Sequence, residues 1–504
     1  MRWRTEGGTA RTDNGRRSSA TPEKCNTESV TISIHHRAAC VVYGLACVMC
    51  GCVADRPTDK PGLVAGVNVP PAWSGSHGLN APAALPLAQW WLRFDDPILS
   101  TLVTQALHEN TDIKSALAAL QQARALRSAA LAALWPTLDS SASAQHNTVG
   151  GRSAGKRFEL GVQGAWIADV FGANRSALRA STASLEASAA SLGDTRVAVA
   201  AEVGVSYILM RSAQGRVVIA ADNLAIQQET LQITQWRAQA GLVTALESAQ
   251  ARAASEQTRA LLASSRISIE QSRHALAILT GQPPAALDAL LADIRPVPRS
   301  EDSFGLGIPM DTLRQRADVR VAERQVAAAL AQVSQARAAR WPGFSLSGSL
   351  GGSAPTLGAV TDHAALIGTL LASIRLPLFD GGARRAQVRA RQAALEQTRA
   401  AYEFTVLAAL RDVEDGLSAL GGDRERLVSL GNAASAATDA ATLARQRYGS
   451  GLVDFQVVLE TQRTQLAAQD SLVSVSADVG ADQVRLFRAL GGGWRTDSAE
   501  SSVR

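Results

Sequence analysis

Residues 131–144 read LAALWPTLDSSASA, and residues 336–349 read ARAARWPGFSLSGS. In both segments an alanine-rich run reaches a Trp-Pro pair, after which small polar residues become frequent. Alanine is the best helix former, whereas proline is poorly tolerated inside a helix. Each segment therefore predicts that a helix ends near the Trp-Pro pair and that another kind of structure follows it.

The similarity between these segments extends into an internal repeat of about 210 residues. The two Trp-Pro pairs are 206 residues apart. Three further matches have offsets of 206, 210 and 210: NTDIKSALAALQQA (110–123) with RADVRVAERQVAAA (316–329), QAGLV (239–243) with GSGLV (449–453), and ILTG (278–281) with RALG (488–491). The four matches keep the same order at a nearly constant offset, which indicates a duplicated unit.

Two windows without proline predict very long helices. No proline lies between Pro136 and Pro283 or after Pro377, and an interior proline would cost a helix about 3 kcal/mol. Apolar residues in these windows recur with the 3.5-residue period of supercoiled helices: Val203, Met210, Val217, Leu224, Leu231, and Val406, Leu410, Val413, Leu417, Leu420. We predict helices at about 172–235 and 381–447, with shorter ones at about 100–135, 243–280, 311–341 and 453–490.

Alternating residues after each Trp-Pro pair predict β-hairpins. The sequences RFELGVQGAW (157–166) and GFSLSGSL (343–350) alternate apolar with polar or small residues, as half-buried strands do. Their predicted partners lie at about 137–147 and 364–376, with Gly/Ser-rich turns at 148–156 and 351–358. Each repeat therefore supplies one hairpin, and the chain supplies four strands.

These four strands have the 9–11 residues of a tilted membrane strand, but they cannot close alone. An open sheet edge in lipid leaves backbone groups unpaired at several kcal/mol each, and spanning barrels have at least eight strands. A barrel would therefore have to be shared among subunits. The alternative is a pair of hairpins on a helical body that stays in water.

The N-terminal region has the pattern of a secretion signal. His35, His36 and Arg37 precede the 12-residue apolar run AACVVYGLACVM, which is too short to span a bilayer as a helix. Gly51-Cys52 then resembles the cleavage site of bacterial lipoproteins, and all five cysteines lie at or before Cys52. We expect lipidation at Cys52, with Cys47 as a competing acceptor and translation from near Val30 as an alternative start. A plain signal peptide cut elsewhere is the other interpretation.

The charge distribution disfavours nucleic-acid binding. Residues 1–51 hold seven Lys or Arg and four Asp or Glu, so the remainder has 43 basic and 41 acidic residues. Binding to phosphates needs a clustered basic face, and none stands out. The seven histidines are scattered, and no metal-ligand spacing or Gly-rich phosphate loop is present. We therefore expect no nucleic acid, metal, cofactor or enzymatic activity.

Several motifs together resemble the TolC-type outer-membrane efflux channels, and in particular their NodT-like lipoprotein branch. The resemblance covers about residues 85–492 and rests on the duplicated Trp-Pro pairs and four further segments: WWLRFDDPILSTLVTQALHENTDIKSALAALQQARA, LRQRADVRVAE, PLFDGGARRA and RYGSGLVDFQVVLETQR. It implies a mixed, mainly α fold: a long α-helical barrel plus a transmembrane β-barrel shared by a homotrimer, four strands from each chain, with an internal two-fold sequence repeat.

The resemblance also gives a domain plan and partners. The predicted parts are a lipoprotein signal segment (1–51), a lipidated extension (52–95), repeat 1 (96–282, hairpin about 137–168), an equatorial linker (283–310), repeat 2 (311–491, hairpin about 343–376) and a tail (492–504). The implied location is the outer membrane, where the chain contacts lipid and is lipid-anchored, and from which the helices extend into the periplasm. The implied partners are a periplasmic adaptor protein and a proton-driven inner-membrane pump.

The family pattern assigns site residues to the turns between long and short helices. The turns 238–241 and 449–451 would be periplasmic tips where the adaptor docks, through Gly241, Leu242, Gly449, Gly451 and Leu452. Glu247, Tyr448 and Glu460 would form the periplasmic gate. Val453 replaces an arginine found in some relatives, and Ala317 replaces a common proline.

The expected function is that of a passive conduit for small toxic compounds in a tripartite efflux system. A type I protein-secretion exit duct is one alternative. The other is a periplasmic coiled-coil adaptor or structural lipoprotein, which would not need detergent for solubility. No residue identifies the exported substrate.

Overall fold

The computed structural model describes residues 69–74, 87–300, 309–362 and 366–492. The predicted signal segment, Cys47, Cys52 and residues 493–504 lie outside this part of the chain. The predicted mainly helical fold with four antiparallel strands is confirmed. In chain order the elements are α1 Pro97–Glu109, α2 Thr111–Ala132, β1 Thr137–Val149, β2 Arg152–Ala168, α3 Ala173–Gln239, α4 Ala245–Leu279, α5 Pro309–Gln315, α6 Ala317–Ala338, β3 Gly343–Ala354, β4 Leu366–Arg375, α7 Ala383–Gly449 and α8 Phe455–Ala489.

The two long helices, α3 and α7, each contain 67 residues and are therefore about 100 Å long. Each follows a glycine in the left-handed region, Gly172 with φ 78° and Gly382 with φ 87°. The carboxylate of Asp169 accepts from the backbone N–H groups of Asn174 and Arg175, and Asp380 does the same for Gly382 and Arg384. The same device thus begins both long helices.

The predicted single helices at 100–135 and 311–341 are wrong, because each is broken by a capping residue. The Asn110 side chain accepts from the N–H groups of Asp112 and Ile113 at 2.8 and 3.2 Å, and donates to Leu279 O at 2.9 Å. Arg316 is the N-cap residue of α6, but its side chain does not bond the N–H groups of the first turn. The Arg316 guanidinium instead donates to Ala489 O at 2.9 Å. Both breaks attach the second helix to the end of a short hairpin helix.

The sheet has the order β1-β2-β3-β4, and every neighbouring pair is antiparallel. The pairing of β2 with β3 joins the two halves of the chain and continues to Phe158 opposite Ala354. The predicted turn at 351–358 is therefore wrong in its first four residues, which pair with β2. The outer edges of β1 and β4 have no strand partner among the described residues.

Cross-strand register separates the sheet into two faces. Leu138, Gly164, Gly348 and Leu370 lie in one row across the four strands, and neighbouring rows on that face are also mostly apolar. The opposite face carries polar rows such as Asp139, Gln163, Ser349 and Thr369. Large apolar side chains of the first face remain uncovered by the described chain: Leu138, Leu160, Val162, Leu346, Leu350, Leu370 and Ile374.

The main core lies midway along the long helices, where α1 and α2 pack against α3. Trp90 is fully buried and its ring stacks on Phe487 at a centroid distance of 5.7 Å. The backbone of α3 reaches this ring at Gly204, where an added Cβ would lie 2.7 Å from Trp90. A larger side chain at this position would therefore separate α3 from Trp90.

Charged side chains surround a cavity of about 690 Å³ near the ends of α6 and α8. Burial alone would raise the pKa of Asp318, but hydrogen bonds and charge from Arg316 outweigh it and hold this pKa below its ordinary value. Burial raises the pKa of Asp482; its Arg485 partner opposes the rise, and the Asp423 carboxyl reinforces it. Asp482 Oδ1 accepts from Arg485 at 2.8 Å, whereas its buried Oδ2 has no hydrogen-bond partner among the described residues.

Replacing Asn110 with alanine should lower the thermal midpoint of the detergent-extracted protein. The change removes a helix cap and a hydrogen bond to the half-buried carbonyl of Leu279, which together should cost about 1–3 kcal/mol. Gln121→Ala, on the exposed face of α2, is the matched control and should leave the midpoint unchanged. Equal midpoints for the two variants would contradict the role of Asn110.

Asp482→Asn should raise the thermal midpoint at pH 7.5. A folded-state pKa above the unfolded value means that the ionised carboxylate destabilises the fold, and that stability is regained as the pH falls through the folded-state pKa. The advantage of the variant should therefore shrink on acidification. Asp439→Asn, at an exposed position on α7, is the control. A gain that is independent of pH would contradict this explanation.

Candidate functional site at the helix tips

At one end of the molecule, one short turn connects α3 to α4 and a second connects α7 to α8. In the first, Leu242 N donates to Arg237 O at 2.8 Å, and in the second Leu452 N donates to Arg447 O at 2.9 Å. Gly241 and Gly451 have φ values of +71° and +75°, a conformation that favours glycine and ends a helix in this way. We call the two turns, residues 240–244 and 450–454, tip 1 and tip 2.

The predicted docking residues have different positions within the tips. Leu242 and Leu452 are each 74% exposed, so both tips present an uncovered leucine. Gly449 is the last residue of α7, and the turn begins one residue later, at Ser450. The predicted start of the second turn at 449 is therefore wrong by one residue, and that of the first turn at 238 is wrong by two, because α3 continues to Gln239.

The two predicted gate carboxylates lie on the short helices that follow the tips. Glu247 is half-buried in the first turn of α4, where a negative charge is favourable beside the positive helix end. Glu460 is exposed, one and a half turns into α8. The described hydrogen bonds and ion pairs of one chain do not bring these two carboxylates together.

Tyr448 is the most enclosed of the predicted gate residues, with 6% of its surface exposed. It belongs to an apolar cluster with Phe455, Val458 and Ala251, and its ring centroid lies 5.8 Å from that of Phe455. Its hydroxyl oxygen is buried and has no hydrogen-bond partner among the described residues. The ring, and not the hydroxyl group, therefore anchors Tyr448 within the chain.

Sequence reasoning overlooked Arg237, which lies beside Tyr448. The guanidinium carbon of Arg237 lies 4.4 Å from the centroid of the Tyr448 ring, and its nitrogens donate to the carbonyls of Tyr448 and Gly449. Arg237 and Arg447 occupy matching positions in the repeat, four residues before the tip glycine and five before the tip leucine, but only Arg237 makes this contact in the described part of the chain.

Other kinds of site find little support in the part of the chain that the structure describes. No three acidic, histidine or cysteine side chains are grouped there in a way that could hold a metal ion. None of the described helices combines the length and apolar character needed to cross a membrane.

Comparisons with known proteins agree over most of the chain. Residues 102–282 and 308–492 match the family described as outer membrane efflux protein. The pyoverdine export outer membrane protein OpmQ of Pseudomonas aeruginosa is 30% identical over 476 residues, covering 90% of this chain and 96% of that protein. Nodulation protein T of Rhizobium leguminosarum bv. viciae is 29% identical over 420 residues, covering 82% and 86%.

The fold also agrees with a solved structure. The outer-membrane channel OprN has a TM-score of 0.78 and 35% sequence identity, covering 85% of this chain and 98% of that chain. This chain therefore belongs to the outer membrane efflux protein family, as the sequence match and the shared fold of long helices and a four-stranded sheet show.

Proposed function

We propose that the chain is the outer-membrane channel of a tripartite efflux system, a passive conduit that carries small toxic compounds from the periplasm to the exterior. The observation that carries this proposal is the two-faced sheet. Its apolar face is uncovered and its two edges have no strand partner among the described residues, while its other face carries most of the polar residues, with Ile167, Ile367 and Leu371 as apolar exceptions. A lipid-facing wall with a water-facing lumen needs this arrangement.

The resemblance to the family implies a homotrimer with a shared 12-stranded barrel, and the open edges of the same sheet support sharing of the barrel between chains. Each chain offers β1 at one edge and β4 at the other, so neighbouring chains can continue the pairing in a ring. Three copies of four strands exceed the minimum of eight for a spanning barrel. The long helices of the three chains would then surround the periplasmic part of the conduit.

The internal repeat is supported by equivalent contacts in the two halves. The paired helices have equal lengths: 67 residues for α3 and α7, 35 for α4 and α8, and 22 for α2 and α6. Asn110 donates to Leu279 O where Arg316 donates to Ala489 O, at offsets of 206 and 210 residues. Different side chains thus make the same kind of connection, as expected after duplication and divergence.

The tips are the proposed periplasmic end. Tip 1 and tip 2 lie at the far end of the long helices from the strands, and their exposed leucines suit docking of a periplasmic adaptor. Glu247, Tyr448 and Glu460 are the proposed gate, with the carboxylates repeated by three-fold symmetry favouring cations. The energy would come from a proton-driven inner-membrane pump, and a lipid on Cys52 would add an anchor in the outer membrane.

Conductance across a planar bilayer tests the conduit. Full-length protein extracted from membranes should give discrete, cation-preferring channels. Glu247→Gln/Glu460→Gln should weaken the cation preference, because it removes charge where the pore would be narrowest. Glu425→Gln, at an exposed position far from the tips, is the matched control and should change nothing.

Other outcomes are equally informative. Normal channels with unaltered ion preference in the double variant would keep the conduit and exclude the gate carboxylates. A protein that is soluble and folded without detergent would exclude the membrane channel and favour the adaptor alternative. Passage of an unfolded polypeptide, but not of small dyes, would favour the protein-secretion duct.

A further inference from the structure

Arg237 makes a polar connection between the two helical hairpins, α3–α4 and α7–α8, beside the apolar cluster of Tyr448, Phe455 and Ala251. Arg237 lies on the last turn of α3, before tip 1, and is half-buried. Its Nη1 donates to Tyr448 O at 3.2 Å and its Nη2 donates to Gly449 O at 3.1 Å, both at the end of α7. A residue of the first hairpin therefore bonds the backbone of the second.

The physical setting favours this contact. The last carbonyls of a helix have no partner within the helix, and they carry the negative end of its dipole. A guanidinium placed there supplies both a positive charge and two parallel donors, which suits an arginine better than a lysine. These two hydrogen bonds thus depend on the position of the backbone at the end of α7.

The face of the Tyr448 ring provides a second contact for the same cation. The guanidinium carbon of Arg237 lies 4.4 Å from the ring centroid, within the range of a cation–π interaction. Phe455 packs against the ring at an angle of 60°, so the ring contacts both Arg237 of the first helical hairpin and Phe455, which follows tip 2. Because the Tyr448 hydroxyl has no partner among the described residues, these ring contacts define its position.

The equivalent arginine of the second repeat behaves differently. Arg447 lies 210 residues after Arg237, and the backbone carbonyl of each accepts the turn-closing hydrogen bond of its own tip. The Arg447 side chain is exposed and has no hydrogen bond, ion pair or ring contact within the described part of the chain. The turn itself therefore does not require an arginine contact, and the contact made by Arg237 is an addition to it.

We propose that Arg237 is a positioning residue for the gate, which clamps the end of α7 and tip 2 to the first hairpin. Tip 2 cannot move away from α3 until both carbonyl hydrogen bonds and the ring contact are broken. This inference rests on the proposed function, because it takes the tips as the place where the conduit closes. The clamp itself can be measured without any conductance.

Hydrogen exchange of the full-length trimer measures the clamp directly. Arg237→Gln should accelerate amide exchange about tenfold around tip 2, in residues 446–455, and leave residues 100–110 unchanged. Arg447→Gln, the matched control from the second repeat, should leave exchange at both places unchanged. Equal exchange around tip 2 in the wild type and Arg237→Gln would overturn the clamp.

Single-channel recording then tests the effect on the gate. Without adaptor or pump, Arg237→Gln should raise the open probability about tenfold, a factor that corresponds to about 1.4 kcal/mol, because it removes the cation–π contact and both carbonyl hydrogen bonds. Arg237→Lys, which keeps the charge but loses the fork of donors, should lie between wild type and Arg237→Gln. A purely structural defect would instead lower the thermal midpoint and the yield of trimer without raising the open probability, and that result would overturn the inference.

Substitutions at Tyr448 separate the ring from the hydroxyl group. Tyr448→Leu should raise the open probability more than Tyr448→Phe does, because only leucine removes the ring that Arg237 contacts. The double variant Arg237→Gln/Tyr448→Leu should show less than the sum of the two single free-energy changes, because both remove the same contact. Additive effects would overturn the cation–π part of the clamp.

Hydrogen exchange and single-channel recording together distinguish this inference from the proposed function. Faster exchange at tip 2 in a protein that never conducts would support the clamp and exclude the channel. Normal conduction with identical open probability in Arg237→Gln and Arg447→Gln would keep the channel and overturn Arg237 as a gate-positioning residue.

Discussion

The outer edges of β1 and β4 need strand partners that the described chain does not supply. In water such an edge can bond solvent, but in hydrocarbon each unpaired backbone group costs several kcal/mol. The exposed apolar face of the same sheet, with Leu138, Leu350 and Leu370, has no cover within the described residues. Pairing between chains would satisfy the strand edges, and contact with lipid would cover the apolar face. The sheet therefore depends on oligomer formation.

The long helices α3 and α7 connect the sheet with the tips. Buried positions on α3 and α7 are often alanine, which allows close approach of neighbouring helices over about 100 Å. Each long helix begins beside a strand and ends at a tip, so one rigid element connects the membrane end with the proposed gate. The contact between Arg237 and the end of α7 lies at the tip end of these two helices.

Much of this architecture could be predicted from the sequence, since it follows from local signals. The proline-free windows and the burial-prone heptad positions Val203, Met210 and Val406 indicated the long helices, and Gly241 and Gly451 indicated the tips. The breaks at Asn110 and Arg316 were missed because neither residue excludes a helix, and their roles depend on distant carbonyls. Arg237 was missed for the same reason: it binds backbone groups about 210 residues away, and no local pattern reports such a contact.

Disulfide trapping between β1 and β4 would test the shared barrel without assuming any transport activity. Residues 53–504 contain no cysteine, and in an antiparallel order β1 and β4 of one chain are three strands apart, about 14 Å, too far for a disulfide. Ser141→Cys combined in turn with cysteine at Ile367, Thr369 or Leu371 should give a covalent ladder that ends at three chains. Ser141→Cys/Ser347→Cys should give none, because both neighbours of β3 belong to its own chain. Membrane-extracted protein that forms no such ladder at any register, or one that continues beyond three chains, would contradict the closed trimeric barrel.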